Sequence, residues 1–293
     1  MIKILIIKLG YSETLDNEIS KVVSLGDVLR TTPILEALKT KYPQSKITFL
    51  TDEKAKELVQ NNPYIDKIIT NTNLNTQFDI VINFEKSQQF ISLTKKLNPT
   101  EIFGFYEDSN NSLNKYIENK TFKKDYWQKI LIEHLGLTWK KQKYSLGYKP
   151  TSKEKFDIGL NYMVGSKWPT KAMSKKKWEE LYDKLTSLGF KVSWQQGLNN
   201  LYEYIDWIHS CKIIISQDSL GLHLAMALDK KLIGIFGSTG FEEIYPYNNA
   251  KFLTSNSKCP KIPCYSQKCD YSKFCMDTIS IDTIIKEIKN LKG

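Results

Sequence analysis

"IKILIIK", residues 2–8, has an unbroken apolar centre, Ile4–Ile7, in which three of the four residues are β-branched. A strand with one wet face would alternate apolar and polar residues. An unbroken run is a strand covered on both faces, as in parallel sheets whose crossovers are helices. The segments that follow keep this pattern. "ILEALKTKY" (34–42) sets Ile34, Leu35 and Leu38 at helical spacing, "KITFLT" (46–51) reads as a strand and "EKAKELVQN" (53–61) as a helix. "DKIIT" (66–70) and "DIVINF" (79–84) are strands, a helix covers roughly 86–97, and "EIFGF" (101–105) is a strand. Strand–helix alternation of this kind predicts a doubly wound parallel sheet.

Residues 106–122 are polar, and "DYWQKILIEHLGL" (125–137) returns to helical spacing. "KKQKYSLGYKPTSKEK" (140–155) is basic and polar and reads as a linker. Alternation then restarts: strand "FDIGLNY" (156–162), helix "SKKKWEELYDKLTSLG" (174–189), and strands "FKVSWQQ" (190–196), "KIIIS" (212–216) and "KLIGIFG" (231–237). Ser174 suits the N-cap of that helix and Gly189 its C′ position. "LHLAMAL" (222–228) is a short buried helix, and "TIIKEIKNLK" (283–292) is amphipathic. The expected architecture is α/β: two doubly wound Rossmann-like domains, 1–145 and 146–293, facing a cleft. Ligands in such sheets lie at the carboxyl ends of the strands.

The chain has 293 residues, 41% of them hydrophobic, enough for two cores. Its 42 Lys and Arg against 32 Asp and Glu give a formal charge of +10, which suits anionic partners: nucleic acid, anionic lipid or phosphorylated sugars. The excess is spread along the chain, so a plain solvated basic surface fits equally well. No run approaches the roughly 18 apolar residues of a membrane span. "MIKILIIKLG" is too short for a signal sequence, so a cytoplasmic protein is expected.

Five stretches could carry chemistry. In "VVSLGDVLRTTP" (22–33), Ser24-x-x-Asp27 fits a capping box, with the acid satisfying a backbone donor. The functional alternative makes Asp27 a general base, with Gly26 letting the backbone pass close to a ligand. Pro33 fits the start of a further helical turn. In "SQDSLGLHLAMAL" (216–228), Asp218, Ser219, Leu220 and Gly221 lie at a loop-to-helix junction, where backbone N–H groups and the helix dipole suit a diphosphate. His223, one turn in, reads either as a core histidine or as a ligand contact. "FGSTG" (236–240), with Gly237 and Thr239, closes the next strand in the same way, or is an ordinary turn. "GSKWPTK" (165–171) flanks Trp168-Pro169 with Lys167 and Lys171, either solvated or held toward a phosphate. Last, Cys259, Cys264, Cys269 and Cys275 crowd into 17 residues. Four thiols in a cytosolic chain suit a structural zinc or iron better than disulfides, although the tight C-x-x-C knuckle is missing and reduced thiols remain open. Cys211, just before a buried strand, reads as core.

Together, "IKILIIKLG", "SLGDVLRTTPILEALKTKYPQSKITFLTD", "NNPYID", "WPTK", "SQDSLGLHLAMAL", "IGIFGSTG" and "CPKIPCYSQKCDYSKFCMDTIS" resemble glycosyltransferase family 9, the ADP-heptose:lipopolysaccharide heptosyltransferases. The resemblance implies a GT-B architecture, with the acceptor on the N-terminal domain and the nucleotide sugar on the C-terminal one. It also implies an inverting transfer needing no metal or other cofactor for catalysis. It puts the base at Asp27, with Gly26 and Arg30 on the acceptor side, and the donor loop at Asp218, Ser219, Leu220, Gly221 and His223. Gly237 and Thr239 join that donor side, and the phosphate lysine falls at Lys167 or Lys171. The cysteine segment recurs in some members, where its metal is proposed as structural.

Three features depart from the family pattern. "GYSETLDNEISKVV" (10–23) intervenes before Gly26-Asp27, Leu220 stands between Ser219 and Gly221, and "QQGLNNLYEYIDWIHSCK" (195–212) has no clear match for a ribose-binding acid. The expected partners are an ADP-sugar and an anionic glycolipid or glycan such as lipopolysaccharide core, with peripheral contact at the cytoplasmic face of the inner membrane and no nucleic acid. The alternatives are a protein O-heptosyltransferase acting on a surface adhesin, and a non-enzymatic metal-containing module that binds nucleic acid.

Overall fold

Ile4, Leu5, Ile6 and Ile7 are all fully buried, so the opening run is covered on both faces. It forms β1 (Lys3–Ile7). The structure, a computed structural model, describes residues 1–11, 22–106, 112–119, 125–166, 168–272 and 274–292. The chain divides into two units, Met1–Tyr148 with Glu242–Tyr245, and Lys149–Phe241 with Pro246–Gly293.

In the first unit β1 is followed by α1 (Leu25–Leu29), α2 (Pro33–Lys41), β2 (Lys46–Leu50), α3 (Lys56–Val59), β3 (Lys67–Ile69) and β4 (Ile80–Asn83). Then come α4 (Gln88–Leu97), β5 (Glu101–Gly104), α5 (Leu113–Asn119) and α6 (Trp127–His134). The strands form one parallel sheet of order β3-β2-β1-β4-β5. The chain winds outward from β1 to β3, then returns beside β1 as β4. The strand order therefore reverses between β1 and β4, the place where doubly wound sheets open a crevice at their carboxyl ends.

The second unit repeats the plan. It runs β6 (Phe156–Asn161), α7 (Lys175–Ser187), β7 (Val192–Trp194), α8 (Leu201–Ser210), β8 (Cys211–Gln217), α9 (Leu220–Ala227), β9 (Lys231–Phe236), β10 (Ala250–Thr254) and α10 (Ile281–Lys292). Its parallel sheet has the order β10-β9-β8-β6-β7, with the reversal between β6 and β8. Period-2 positions Ile158 and Leu160, Ile213 and Ile215, and Ile233 and Ile235 pack with Trp178, Leu181 and Leu185 of α7 and with Ile284, Ile285 and Ile288 of α10. Burying each such aliphatic side chain contributes about 1.5–3 kcal/mol. The amphipathic C-terminal helix is thus part of the second core.

Differences from the sequence reading are local. The expected helix at 53–61 is a 3₁₀ turn, Glu53–Ala55, that runs into α3, with the Asp52 carboxylate accepting the Lys54 N–H. Helix α8 lies within 195–212, a stretch for which the sequence pattern predicts no element. Asn200 caps it by accepting the Tyr202 and Glu203 N–H groups, and Tyr204, Ile205, Trp207 and Ile208 form its buried face. Strand β10 carries only one buried residue, Ala250, so its pattern is faint. The 140–155 segment is not a free linker throughout: Gln142 and Tyr144 are buried, and the Gly147 N–H donates to Leu58 C=O at 2.9 Å.

Candidate active site

In the first unit the site forms where β1 and β4 end. Glu85, just past β4, is 2% exposed and lies 3.5 Å from the ammonium of Lys8, itself 3% exposed. One Glu85 oxygen, Oε1, accepts the N–H groups of both Leu9 and Gly10, at 2.7 and 2.8 Å. Gly10 has φ +87°, and a Cβ there would lie 2.6 Å from Ser24 O and 2.9 Å from Val28 Cγ2, so only glycine fits. Its carbonyl accepts the Ser24 N–H at 2.7 Å, which closes the base of the 10–23 insertion. Residues 12–21 of that insertion lie outside the described residues.

Ser24 is the N-cap of α1, but its hydroxyl makes no capping bond, so the capping-box expectation fails on that side. The helix start is held by backbone instead, with Ser24 C=O accepting the Asp27 N–H at 3.1 Å. Gly26 is buried, while the Asp27 side chain keeps 35% of its exposure. Arg30 spans two carboxylates, Asp27 at 3.8 Å and Glu243 at 3.7 Å, with its guanidinium 5.7 Å from the Trp127 ring centroid. Pro33 opens α2 as expected.

In the second unit the cluster lies at the ends of β6, β8 and β9. Asp218 Oδ2 takes the Lys171 ammonium at 2.6 Å and the Thr239 hydroxyl at 2.8 Å, and His223 Nε2 lies 4.0 Å from Oδ1. Burial alone would raise the Asp218 carboxyl. The charges of Lys171 and His223, with hydrogen bonds from Lys171 and Thr239, outweigh it and hold the group well below the usual carboxylate range. Lys171 also lies 6.0 Å from the Trp168 ring centroid. The structure thus brings together Lys171, Asp218, His223 and Thr239; Lys167 lies outside the described residues.

Ser219 is the N-cap of α9 and Leu220 its first residue, so the extra residue before Gly221 is absorbed as a helical turn. At the β6/β8 reversal, Asn161 Nδ2 donates to the hydroxyls of Ser216 (2.8 Å) and Ser219 (2.9 Å), while the Tyr204 hydroxyl donates to Asn161 Oδ1. A Cβ at Gly221 would lie 2.4 Å from both Asn161 Nδ2 and Tyr204 Oη. The glycine is needed for this network, a reason independent of any ligand. Asn161, Tyr204, Lys8, Glu85 and Glu243 escaped the sequence reading. Asn161 and Glu85 carried one usable signal: each is a polar residue at the end of an apolar run.

The cysteine segment braces the loops that follow β6 and β9. The Tyr265 N–H donates to Ser238 C=O at 2.8 Å, the Tyr265 hydroxyl accepts the Gly240 N–H at 3.3 Å, and the Thr170 hydroxyl donates to Ser266 C=O. A Cβ at Gly237 would lie 2.6 Å from Met276 Sδ and 3.0 Å from Cys275 Sγ. All five cysteines are free thiols; Cys275 is buried and Cys269 exposed. Burial first, then the neighbouring thiols of Cys264, Cys269 and Cys259, push Cys275 up to about 11. The four are therefore neighbours. Yet among the described residues no three His, Cys, Asp or Glu side chains converge as a metal would require, so the expected zinc or iron site does not fit as the thiols are placed. Cys211 is core, as expected, and burial pushes its thiol up to about 12.

Known proteins resemble this chain in sequence and in fold. The model of glycosyltransferase family 9 (heptosyltransferase) matches residues 196–275. A lipopolysaccharide heptosyltransferase 1 from Campylobacter coli is 24% identical over 94% of this chain and 98% of its own length. The structure of E. coli heptosyltransferase WaaC with ADP superimposes with TM-score 0.69 at 14% identity, covering 99% of this chain and 100% of that one. The iron-containing dodecameric glycosyltransferase TibC of enterotoxigenic E. coli gives TM-score 0.65 at 13% identity, covering 100% of this chain and 77% of that one. The fold is of the GT-B type, and the chain is a glycosyltransferase. The family it resembles is glycosyltransferase family 9, the heptosyltransferases, as the sequence motifs implied.

Proposed function

We propose that this chain transfers heptose, or a similar sugar, from an ADP-sugar to a hydroxyl of a cell-envelope glycan such as lipopolysaccharide core, with inversion at the anomeric carbon. The observation that carries the reading is the donor-side cluster: Lys171, Asp218, His223 and Thr239 gathered at the carboxyl ends of β8 and β9, beside the N-terminus of α9. An ammonium with three N–H donors, one of them given to Asp218, and the first free N–H groups of a helix suit a diphosphate. The hydroxyl of Ser238, 2% exposed and with no hydrogen-bond partner among the described residues, adds a donor in the same loop. The ADP held by the E. coli relative supports ADP as the nucleotide, and the Campylobacter relative supports lipopolysaccharide as the acceptor class.

In this reading Asp27 accepts the acceptor hydroxyl's proton as that oxygen attacks the anomeric carbon. The bond to the diphosphate breaks on the opposite face, and its electron pair leaves with ADP. Lys171 and the N–H groups at the start of α9 stabilise the charge that grows there. Asp218 does not meet the phosphate; it fixes Lys171 and Thr239. No step passes through a metal. Among the described residues no helix is long and apolar enough to cross a membrane. The +10 charge supports peripheral contact with an anionic membrane face, where such an acceptor is presented.

The test is Asp27→Asn. Turnover is expected to fall by about 10²–10⁴-fold while ADP binding measured by calorimetry is nearly unchanged. Full activity in that variant would end the assignment. A mass-spectrometric screen of ADP-, GDP- and UDP-sugars against heptose-deficient lipopolysaccharide and against surface proteins separates the glycan acceptor from a protein one.

A further inference from the structure

The buried ion pair at the β1/β4 reversal takes no part in the chemistry above. Glu85 and Lys8 are 2% and 3% exposed, and desolvating two charges costs several kcal/mol per ion before their attraction repays it. Replacing such a pair by apolar residues is often neutral for stability, so stability alone is a weak reason for it. What Glu85 does locally is specific. A single oxygen, Oε1, binds two successive backbone N–H groups, Leu9 and Gly10, where β1 has run out of strand partners. Asn83 in turn fixes the Glu85 backbone: its amide donates to Glu85 C=O at 3.0 Å and to Phe105 C=O at 2.8 Å, and its oxygen accepts the Glu85 N–H at 2.9 Å.

From Gly10 the connection continues without a gap. Gly10 C=O accepts the Ser24 N–H at 2.7 Å, and Ser24 C=O accepts the Asp27 N–H at 3.1 Å. The contact between Gly10 and Val28 leaves no room for slack, because even a methyl at Gly10 would lie 2.9 Å from Val28 Cγ2. Thirteen residues separate Gly10 from Ser24 in the chain. Among the described residues, hydrogen bonds thus lead from Glu85 through Gly10 and Ser24 to the start of the helix that carries Asp27.

We infer that Glu85 is a positioning residue for Asp27: its carboxylate fixes the turn at Leu9–Gly10, the turn fixes Ser24, and Ser24 fixes the start of the helix that presents the base. This rests on the reading of Asp27 as base. A charge is used because a carboxylate accepts two N–H groups at one oxygen more strongly than a neutral amide. Lys8 neutralises it and anchors its own ammonium on Phe84 C=O at 3.3 Å.

The test compares K8M/E85L with K8M/E85Q in the full chain. Both remove the buried charge pair, but only the glutamine keeps an oxygen for the two N–H groups. Four quantities are read: ADP affinity, kcat and KM for heptose transfer to heptose-deficient lipopolysaccharide, and amide exchange over 22–30 by mass spectrometry. For K8M/E85L we expect ADP affinity within about twofold, faster exchange at Ser24–Asp27, and kcat down about 10²-fold with little change in KM, the scale of an ångström's misplacement. K8M/E85Q is expected to recover slow exchange and most of kcat. Unchanged exchange and kcat in K8M/E85L, or an equal loss in both variants, would overturn the inference. Should K8M/E85L fail to fold, the unmodified chain decides. Ser24 and Asp27 amides exchanging as fast as open loop would refute the relay, and exchange as slow as β1 supports it. In the Asp27→Asn background, E85L should leave the residual turnover alone. If that background is fully active while exchange still rises in K8M/E85L, the base reading fails and the positioning of α1 stands.

Discussion

His134 shows what one half-buried side chain does to the acid tolerance of the first unit. Its Nε2 accepts the Gly104 N–H at 2.9 Å, and the rings of Phe103 and Tyr116 stand edge-on to it. Burial lowers it from 6.5 to about 4, so the folded chain holds it neutral where an unfolded chain would protonate it. Between these values the unfolded state binds more protons. Stability from this group is therefore complete above about pH 6.5 and declines as pH falls toward about 4, by about 3 kcal/mol in all. Denaturant unfolding from pH 7 to 4.5 should show that loss in the natural chain and a smaller one in His134→Gln, whose amide oxygen can still accept from Gly104. Equal slopes would refute it. The same scale marks a limit of sequence reading. Asp218 and Thr239 each stood out at the end of an apolar run. The hydrogen bond from the Thr239 hydroxyl to Asp218 did not, because it depends on β8 and β9 lying side by side.

The junction of α8, α9 and β6 is where an element's placement depends on one missing methyl. Gly221 faces the Asn161 amide and the Tyr204 hydroxyl, both engaged in a buried network that ends on Ser219. Gly221→Ala should cost about 1–3 kcal/mol of stability by overpacking. It should also weaken ADP binding, because the displaced Asn161 releases the N-cap of α9. Thermal unfolding and calorimetry read the two effects; an alanine variant with unchanged melting and affinity would contradict this packing. Helix α9 was legible from its apolar run. Helix α8 was not, because its buried face, Tyr204, Ile205, Trp207 and Ile208, mixes aromatic and aliphatic residues among Glu203, Asp206 and His209. Helix α1 was legible only as a start: Ser24 and Asp27 fit a capping box, yet the bonds that hold it come from Gly10, across an insertion whose closure leaves no sequence signal.

Across the whole chain, the two parallel sheets were readable because unbroken apolar runs such as 4–7 and 213–215 have few other uses. The tetrapeptide Glu242–Tyr245, which joins the first unit from far along the sequence, was not. Its carbonyl at Glu243 accepts the Trp127 N–H at 2.8 Å, an orphan donor at the start of α6. Ile244 is 3% exposed, and Tyr245 stands edge-on to Tyr126 and Trp139. A fragment ending at Tyr148 contains only Trp127 and Trp139 of the six tryptophans, and both lose a partner. Its emission should be red-shifted and its unfolding less cooperative than that of the same residues in the full chain. Blue-shifted, sharply cooperative behaviour would show the tetrapeptide to be dispensable. For anyone recombining enzymes of this type, a single crossover point is therefore the wrong cut: a graft of the second half imports a foreign plug for the first, and Arg30, Trp127 and Gln128, whose side-chain oxygen accepts the Tyr245 N–H at 3.4 Å, would have to travel with it.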